Sequence, residues 1–205
     1  MLSHKTIEPG TLELLKSLML EPEFSQLRLV GGTSLALQYG HRVSIDLDFF
    51  GKIQTDDDTI KSILHKYGTL KVIKESANIK VYILNNIKID IVNYNYKWID
   101  APFIEEDIRL ATPKDIAAMK VNAIAGRGSK KDFIDIYFLL QHYSLSDIIS
   151  FYEEKYPESS VFRALMSLTY FEDAEEQIMP KMFSETSWDT IKKHIIKTVS
   201  KYKLL

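Results

Sequence analysis

Apolar residues recur with two different periods along the chain, and the change between them predicts its elements. Residues 11–20, "TLELLKSLML", carry leucines at helical spacing, and "LRLVGG" reads as a buried strand running into glycines. "TSLALQYG" predicts a short helix stopped by Gly40. "VSIDLDFF" alternates at period two, with Ile45, Leu47 and Phe49 on one face and Asp46 and Asp48 on the other. A helix is expected over about 56–67, capped by Thr55 or one of the aspartates after it. "IKVYIL" and "IKIDIVNY" then predict a hairpin turning at Asn85 and Asn86, because asparagine tolerates the positive φ of tight turns. Strands are expected to stop near residue 105. "TPKDIAAMKVNAIAG", "KDFIDIYFLLQHY" and the segments to the C-terminus read as helices. The expected fold class is α/β (α+β), with residues 1–105 as a mixed sheet flanked by helices and 106–205 as a helical part.

Composition narrows the chemistry. The 205 residues, 45% hydrophobic, can bury a real core. No stretch approaches the ~18–20 apolar residues of a membrane helix, and "MLSHKTIEPG" lacks a signal-peptide pattern, so a cytoplasmic protein with no membrane partner is expected. The absence of cysteine excludes disulfides, thiolate metal sites and cysteine nucleophiles, leaving oxygen or imidazole to hold any metal. A net charge of −2 offers no global attraction to nucleic acid, so a polyanionic partner would need a local patch.

Candidate chemistry begins with Asp46 and Asp48. Two carboxylates on one strand face raise each other's pKa unless a cation sits between them, which suits a seat for Mg²⁺; a solvated edge strand would show the same pattern. Gly31 and Gly32 precede a helix, where close backbone approach and the N–H groups of the first turn can hold a phosphate, although an ordinary strand-to-helix turn also uses glycines. A third acid is available in "IKIDIV", where Ile87, Ile89 and Ile91 face the core and Asp90 points the other way, toward Asp46 and Asp48 if the strands adjoin.

Farther along, Thr112 and Pro113 fit the N-cap and first position of a helix, with Asp115 in its first turn. At a ~3.6-residue period Lys120 falls between Ile116 and Ile124, on the inward stripe, and Asp135 falls between Phe138 and Leu139 on the next helix. They are expected to meet as a buried ion pair, a catalytic pair, or both. Arg127, Lys130 and Lys131 lie in the glycine-flanked connection, where a solvated loop is the plain alternative to phosphate binding. Arg42 and Ser44 approach the Asp46 strand, and His41 is read as structural. The tail "WDTIKKHIIKTVSKYKLL" sets Trp188, Ile191, Ile195, Val199 and Tyr202 on one stripe and its five lysines mostly elsewhere, which predicts a packing helix with a basic outer face; contact with an RNA backbone is the second reading of that face.

"GGTSLALQYGHRVSIDLDFF" followed by "IKIDIV" resembles the nucleotidyltransferase fold, and in particular the AbiEii/AbiGii toxin-like nucleotidyltransferases, with their GG-T-x-L and G-H-R-x-S-x-D-x-D motif. "DIAAMKVNAIAGRGSKKDFIDIYFLL" resembles the downstream family motifs, a lysine-bearing helix and then an arginine, a lysine and two aspartates opening the next. The two matches span about 29–140. The resemblance implies transfer of an NMP from an NTP to an acceptor, notably a tRNA end, by the toxin of a toxin–antitoxin or phage-defence system with a cognate antitoxin. It further implies Asp46, Asp48 and Asp90 as ligands of Mg²⁺, as one ion or two with Mn²⁺ as a substitute. Gly31, Gly32, Thr33, Ser34, Arg42, Arg127 and Lys131 would contact NTP phosphates, and Lys120 and Asp135 would act in the cleft that the helical part completes. Two alternatives keep the same motifs: a protein-modifying nucleotidyltransferase such as an AMPylating enzyme, and a catalytically silent nucleotide-binding module.

Overall fold

The most deeply buried strands lie at the centre of the sheet. In the computed structural model, which describes residues 1–202, β1 (Leu27–Leu29) pairs antiparallel with β2 (Leu47–Gly51), and β2 pairs parallel with β5 (Ile87–Asn93). β5 forms the expected hairpin with β4 (Ile79–Leu84), and Asn85 and Asn86 turn it at φ of 49° and 67°. β3 (Leu70–Glu75) adds to β4, while β6 (Phe103–Glu105) and β7 (Ile108–Leu110) form a second hairpin whose β7 runs parallel to β1. The order is β3-β4-β5-β2-β1-β7-β6, a seven-stranded mixed sheet among the described residues.

The sheet belongs to one of two units, residues 1–95 with 102–111. Helices α1 (Pro9–Leu20), α2 (Gly31–Tyr39) and α3 (Asp57–His65) accompany it, and Asp56 caps α3 by accepting from the Thr59 N–H at 2.8 Å. The core gathers Leu15 and Leu18 of α1, Ile60 and Leu64 of α3, and the inward positions Leu29, Leu47, Phe49, Ile89, Ile91 and Leu110. Arg109 ties α1 to the sheet by donating to the carbonyls of Leu27, Met19 and Phe24 at 2.9–3.1 Å.

Several expectations change. β2 starts at Leu47 and Ile45 is 52% exposed, so Asp46 lies ahead of the strand and the buried alternation is shorter than the pattern suggested. Strands continue to Leu110, past the expected end near 105, because Glu106 and Asp107 turn β6 into β7 in the left-handed region without glycine or asparagine to announce it. β3 was hidden for a different reason. Its residues are almost all exposed, so no inward face imposes a period on its sequence.

The second unit comprises 96–101 and the chain from Thr112 onward. α4 (Pro113–Gly126) begins under the Thr112 cap, and is followed by α5 (Lys130–Leu139), α6 (Leu145–Lys155), α7 (Val161–Ser167), α8 (Glu172–Glu175) and α9 (Trp188–Tyr202). A capping box between Ser144 and Asp147 starts α6. α9 packs as its stripe predicts, with Ile191, Ile195 and Val199 buried and Lys193, Lys197 and Lys201 exposed; Lys203, the last of the five lysines, lies outside the described residues. No described helix is long and apolar enough to cross a membrane.

A fully buried ion pair holds this unit's first segment in place. Lys155 on α6 donates to Asp115 on α4 at 2.7 Å and to the Lys97 carbonyl at 2.9 Å, with its ammonium 4.5 Å from the Trp98 ring; Asp115 also accepts from the Ile99 N–H at 3.0 Å. Removing one member of such a pair strands the other charge in the interior. Lys155→Met is therefore expected to lower unfolding stability by about 3–5 kcal/mol in urea titrations. Lys193→Met on the outer face of α9 should stay within about 0.5 kcal/mol of wild type.

Candidate active site

Parallel pairing of β2 with β5 sets Asp48 opposite Asp90 in register, between the facing pairs Leu47–Ile89 and Phe49–Ile91. Those four apolar residues are fully buried, so the period-two alternation turns both aspartates to the opposite face of the sheet, where they are partly exposed. Neighbouring strands lie ~4.8 Å apart, so the carboxylates share one neighbourhood. Lys88, on the same face, brings its ammonium to 2.5 Å from both carboxylate oxygens of Asp90. The position thus already recruits a cation.

The start of α2 closes against this face. Gly31 has φ of +67°, and a Cβ there would overlap a carboxylate oxygen of Asp48; both facts require glycine. Asp48 in turn accepts at its backbone carbonyl from the Val30 N–H at 2.9 Å. Gly32 is constrained from the other side, since a Cβ would run into the guanidinium of Arg42. Val30, the N-cap, offers no side-chain acceptor, so α2 begins without a capping side chain and with the positive end of its dipole beside Asp48.

Asp46 is placed by its backbone. The buried Thr33 hydroxyl contacts the Asp46 carbonyl and the Ser44 hydroxyl, the latter at 2.8 Å, which ties the approach to β2 onto α2. Asp46 and Asp48 are thus two residues apart but differently held, one before the strand and one within it. Among the described residues no three acidic or imidazole side chains are gathered as a metal cage. The donor set nevertheless fits a hard divalent cation, being carboxylate oxygen throughout, with two of the groups matched in register. Ser34 is an interior residue: its N–H goes to the Val30 carbonyl at 3.3 Å, and its hydroxyl accepts from the Gln38 amide at 3.2 Å. Arg42 is 1% exposed and donates to the Val43 carbonyl at 3.1 Å, and His41 is buried beside it.

In the helical unit Lys120 is buried and bonds two aspartates, Asp135 at 2.6 Å and Asp132 at 2.8 Å. The pairing with Asp135 follows the inward stripe read from the sequence; Asp132 was missed as a site residue. Its signal was present, because Asp132 and Asp135 stand three apart and share a helix face. Burial opposes charge on Asp132, but the Lys120 ammonium, the Ser129 hydroxyl at 2.6 Å and the Arg127 guanidinium outweigh it and hold Asp132 below the usual carboxylate range. Arg127 is largely exposed and lies 3.5 Å from Asp132, and Lys131 is exposed on the first turn of α5. Lys130 departs from the expected loop run: it opens α5, is buried, and donates to the Glu175 carbonyl at 2.9 Å beneath the Trp188 ring.

Comparison with known proteins adds a family to this geometry. Residues 13–201 match the family described as "Nucleotidyl transferase AbiEii toxin, Type IV TA system". An uncharacterized protein of Aquifex aeolicus (strain VF5) is 34% identical over 180 residues, covering 85% of this chain and 86% of that one. Among solved structures, JHP933 from Helicobacter pylori is similar over 97% of both chains at 18% identity and a TM-score of 0.52. MenT4, a nucleotidyltransferase toxin of Mycobacterium tuberculosis H37Rv, is similar over 93% of this chain and 82% of its own, at 12% identity and a TM-score of 0.57. At these identities the two structures speak for the fold.

Two outcomes follow from the geometry. Gly31→Ala places an L residue in the left-handed region against Asp48, and is expected to lower stability on the order of 1–2 kcal/mol in urea unfolding. Asp132, depressed when folded, contributes stability that is present above its unfolded value of ~3.9 and is lost as pH falls through its folded value. Asp132→Asn should therefore be less stable than wild type at pH 7, with the gap narrowing below about pH 4 when chemical denaturation is repeated across pH.

Proposed function

The chain belongs to the AbiEii nucleotidyltransferase toxin family, and we propose that it transfers a nucleoside monophosphate from an NTP to a hydroxyl of an RNA acceptor, a tRNA end in particular. The observation that carries this reading is the register match of Asp48 with Asp90 beside the glycine start of α2. Asp46, Asp48 and Asp90 are the residues to hold Mg²⁺, or Mn²⁺ in its place, as one ion or two. Such an ion, when bound, supplies charge neutralisation on the triphosphate.

The chain's own groups do the rest. Backbone N–H groups of Gly31, Gly32 and Thr33 at the N-terminus of α2 donate to phosphate oxygens, and Arg42 backs Gly32 from the interior. Asp90 takes the proton of the acceptor hydroxyl. The freed oxygen attacks the α-phosphorus in line, a new phosphoester bond forms, and the bond to the bridging oxygen of the leaving pyrophosphate breaks. In the helical unit Asp132 and Asp135 keep Lys120 charged and oriented as a rigid element, and Arg127 and Lys131 are its exposed cations for phosphate contact. The family name carries a further proposal: production of the active protein arrests growth unless a cognate antitoxin is present.

The test is to incubate the pure protein with each radiolabelled NTP, Mg²⁺ and total cellular RNA. Label on an RNA band is expected. Label on protein would instead establish the protein-modifying alternative, and no consumption of any NTP would establish the silent module. Asp48→Asn should lose transfer by at least about 10²-fold. The same variant should weaken Mn²⁺ binding, read by electron paramagnetic resonance without any substrate, while keeping its circular dichroism melt.

A further inference from the structure

The helical unit contains a cavity of about 380 Å³, of whose lining the proposed transfer chemistry uses only Arg127. Its volume falls within the ~300–1,000 Å³ range of small-molecule sites. Ile124 at the end of α4 and Met166 on α7 give it apolar walls, Tyr170 provides an aromatic ring, and Arg127 and Asp173 add one cation and one carboxylate. Met166 and Tyr170 are 46% and 53% exposed, so ring and thioether surfaces are open to a ligand. Phe162, one helical turn before Met166 on α7, is 74% exposed and extends the apolar strip along the same helix face.

We propose that this cavity takes an unpaired nucleobase of the acceptor RNA, stacked on Tyr170 and Met166. The inference rests on the reading of the chain as an RNA nucleotidyltransferase. An aromatic ring beside an exposed guanidinium is the arrangement that binds single-stranded nucleic acid, since every base has a face to stack and a phosphate on each side. The strip reaching to Phe162 suits a strand of several bases, whereas an NTP brings only one. Asp173 offers an acceptor to the amino group of a base, as carboxylates do for cytosine.

The full-length protein is titrated with a fluorescein-labelled oligocytidine 12-mer and with an abasic 12-mer of the same length. Tyr170→Ala is expected to weaken oligocytidine binding by about 5- to 100-fold, the range for loss of one stacked base, and to leave abasic binding unchanged. Tyr170→Phe, which keeps the ring and loses the hydroxyl bonded to Glu172, should bind as wild type. In transfer assays Tyr170→Ala should raise the KM for RNA and leave the KM for NTP alone. Oligocytidine binding by Tyr170→Ala equal to wild type, or an equal loss with the abasic strand, overturns the inference, and a raised KM for NTP alone assigns the cavity to the nucleotide instead. If the wild type labels RNA while these variants behave as wild type, only the cavity assignment fails. If the wild type labels protein or nothing, the functional reading fails first.

Discussion

Two carboxylates side by side on adjacent parallel strands repel one another, and what surrounds Asp48 and Asp90 answers that repulsion. Lys88 closes on Asp90 with both oxygens in reach, and the helix dipole of α2 begins against Asp48. The glycine at position 31 makes the second contact sterically feasible. Its positive φ turns the chain out of β1 and into the helix at the one place where a side chain would collide with the acid it has to approach. A face built in this way is prepared for positive charge, and Lys88 supplies it.

Charge is handled differently in the helical unit. Asp115 with Lys155, and Lys120 with Asp132 and Asp135, are buried, and each ammonium is matched by carboxylates at hydrogen-bond distance. Buried pairs of this kind contribute little net stability over apolar residues of similar volume, but they admit few arrangements, because displacing either partner exposes an unmatched charge to the interior. They therefore define the relative positions of α4, α5 and α6, and leave Arg127, Lys131 and the outer face of α9 among the exposed cations of that unit.

Much of this was readable in the residues, and the failures have physical reasons. The alternation of "IKIDIV" located Asp90 on the polar face, and the helical count put Lys120 and Asp135 on inward stripes, because burial of one face imposes its period on the sequence. Where no face is buried the period vanishes, so β3 went unseen. Where a turn opens on a residue that seldom adopts positive φ, as Glu106 does, the punctuation is weak, and strands run past the expected end near residue 105. Asp132 shares the inward face of α5 with Asp135, and Lys130 departs from the expected loop because it is drawn into the helix and buried, whereas a basic run next to glycines usually stays in solvent.

The sequence by itself determined which residues could face inward, where α2 stops and α4 starts, and that oxygen or imidazole rather than sulfur would hold any metal; each of these is a local property of spacing and side-chain type. Tertiary structure decided which strands lie side by side. The register of β2 against β5, the closure of the Gly31 backbone onto Asp48, and the sharing of one lysine between two aspartates join residues distant in the chain. Such pairings depend on which buried faces pack together, a collective choice that no local pattern encodes.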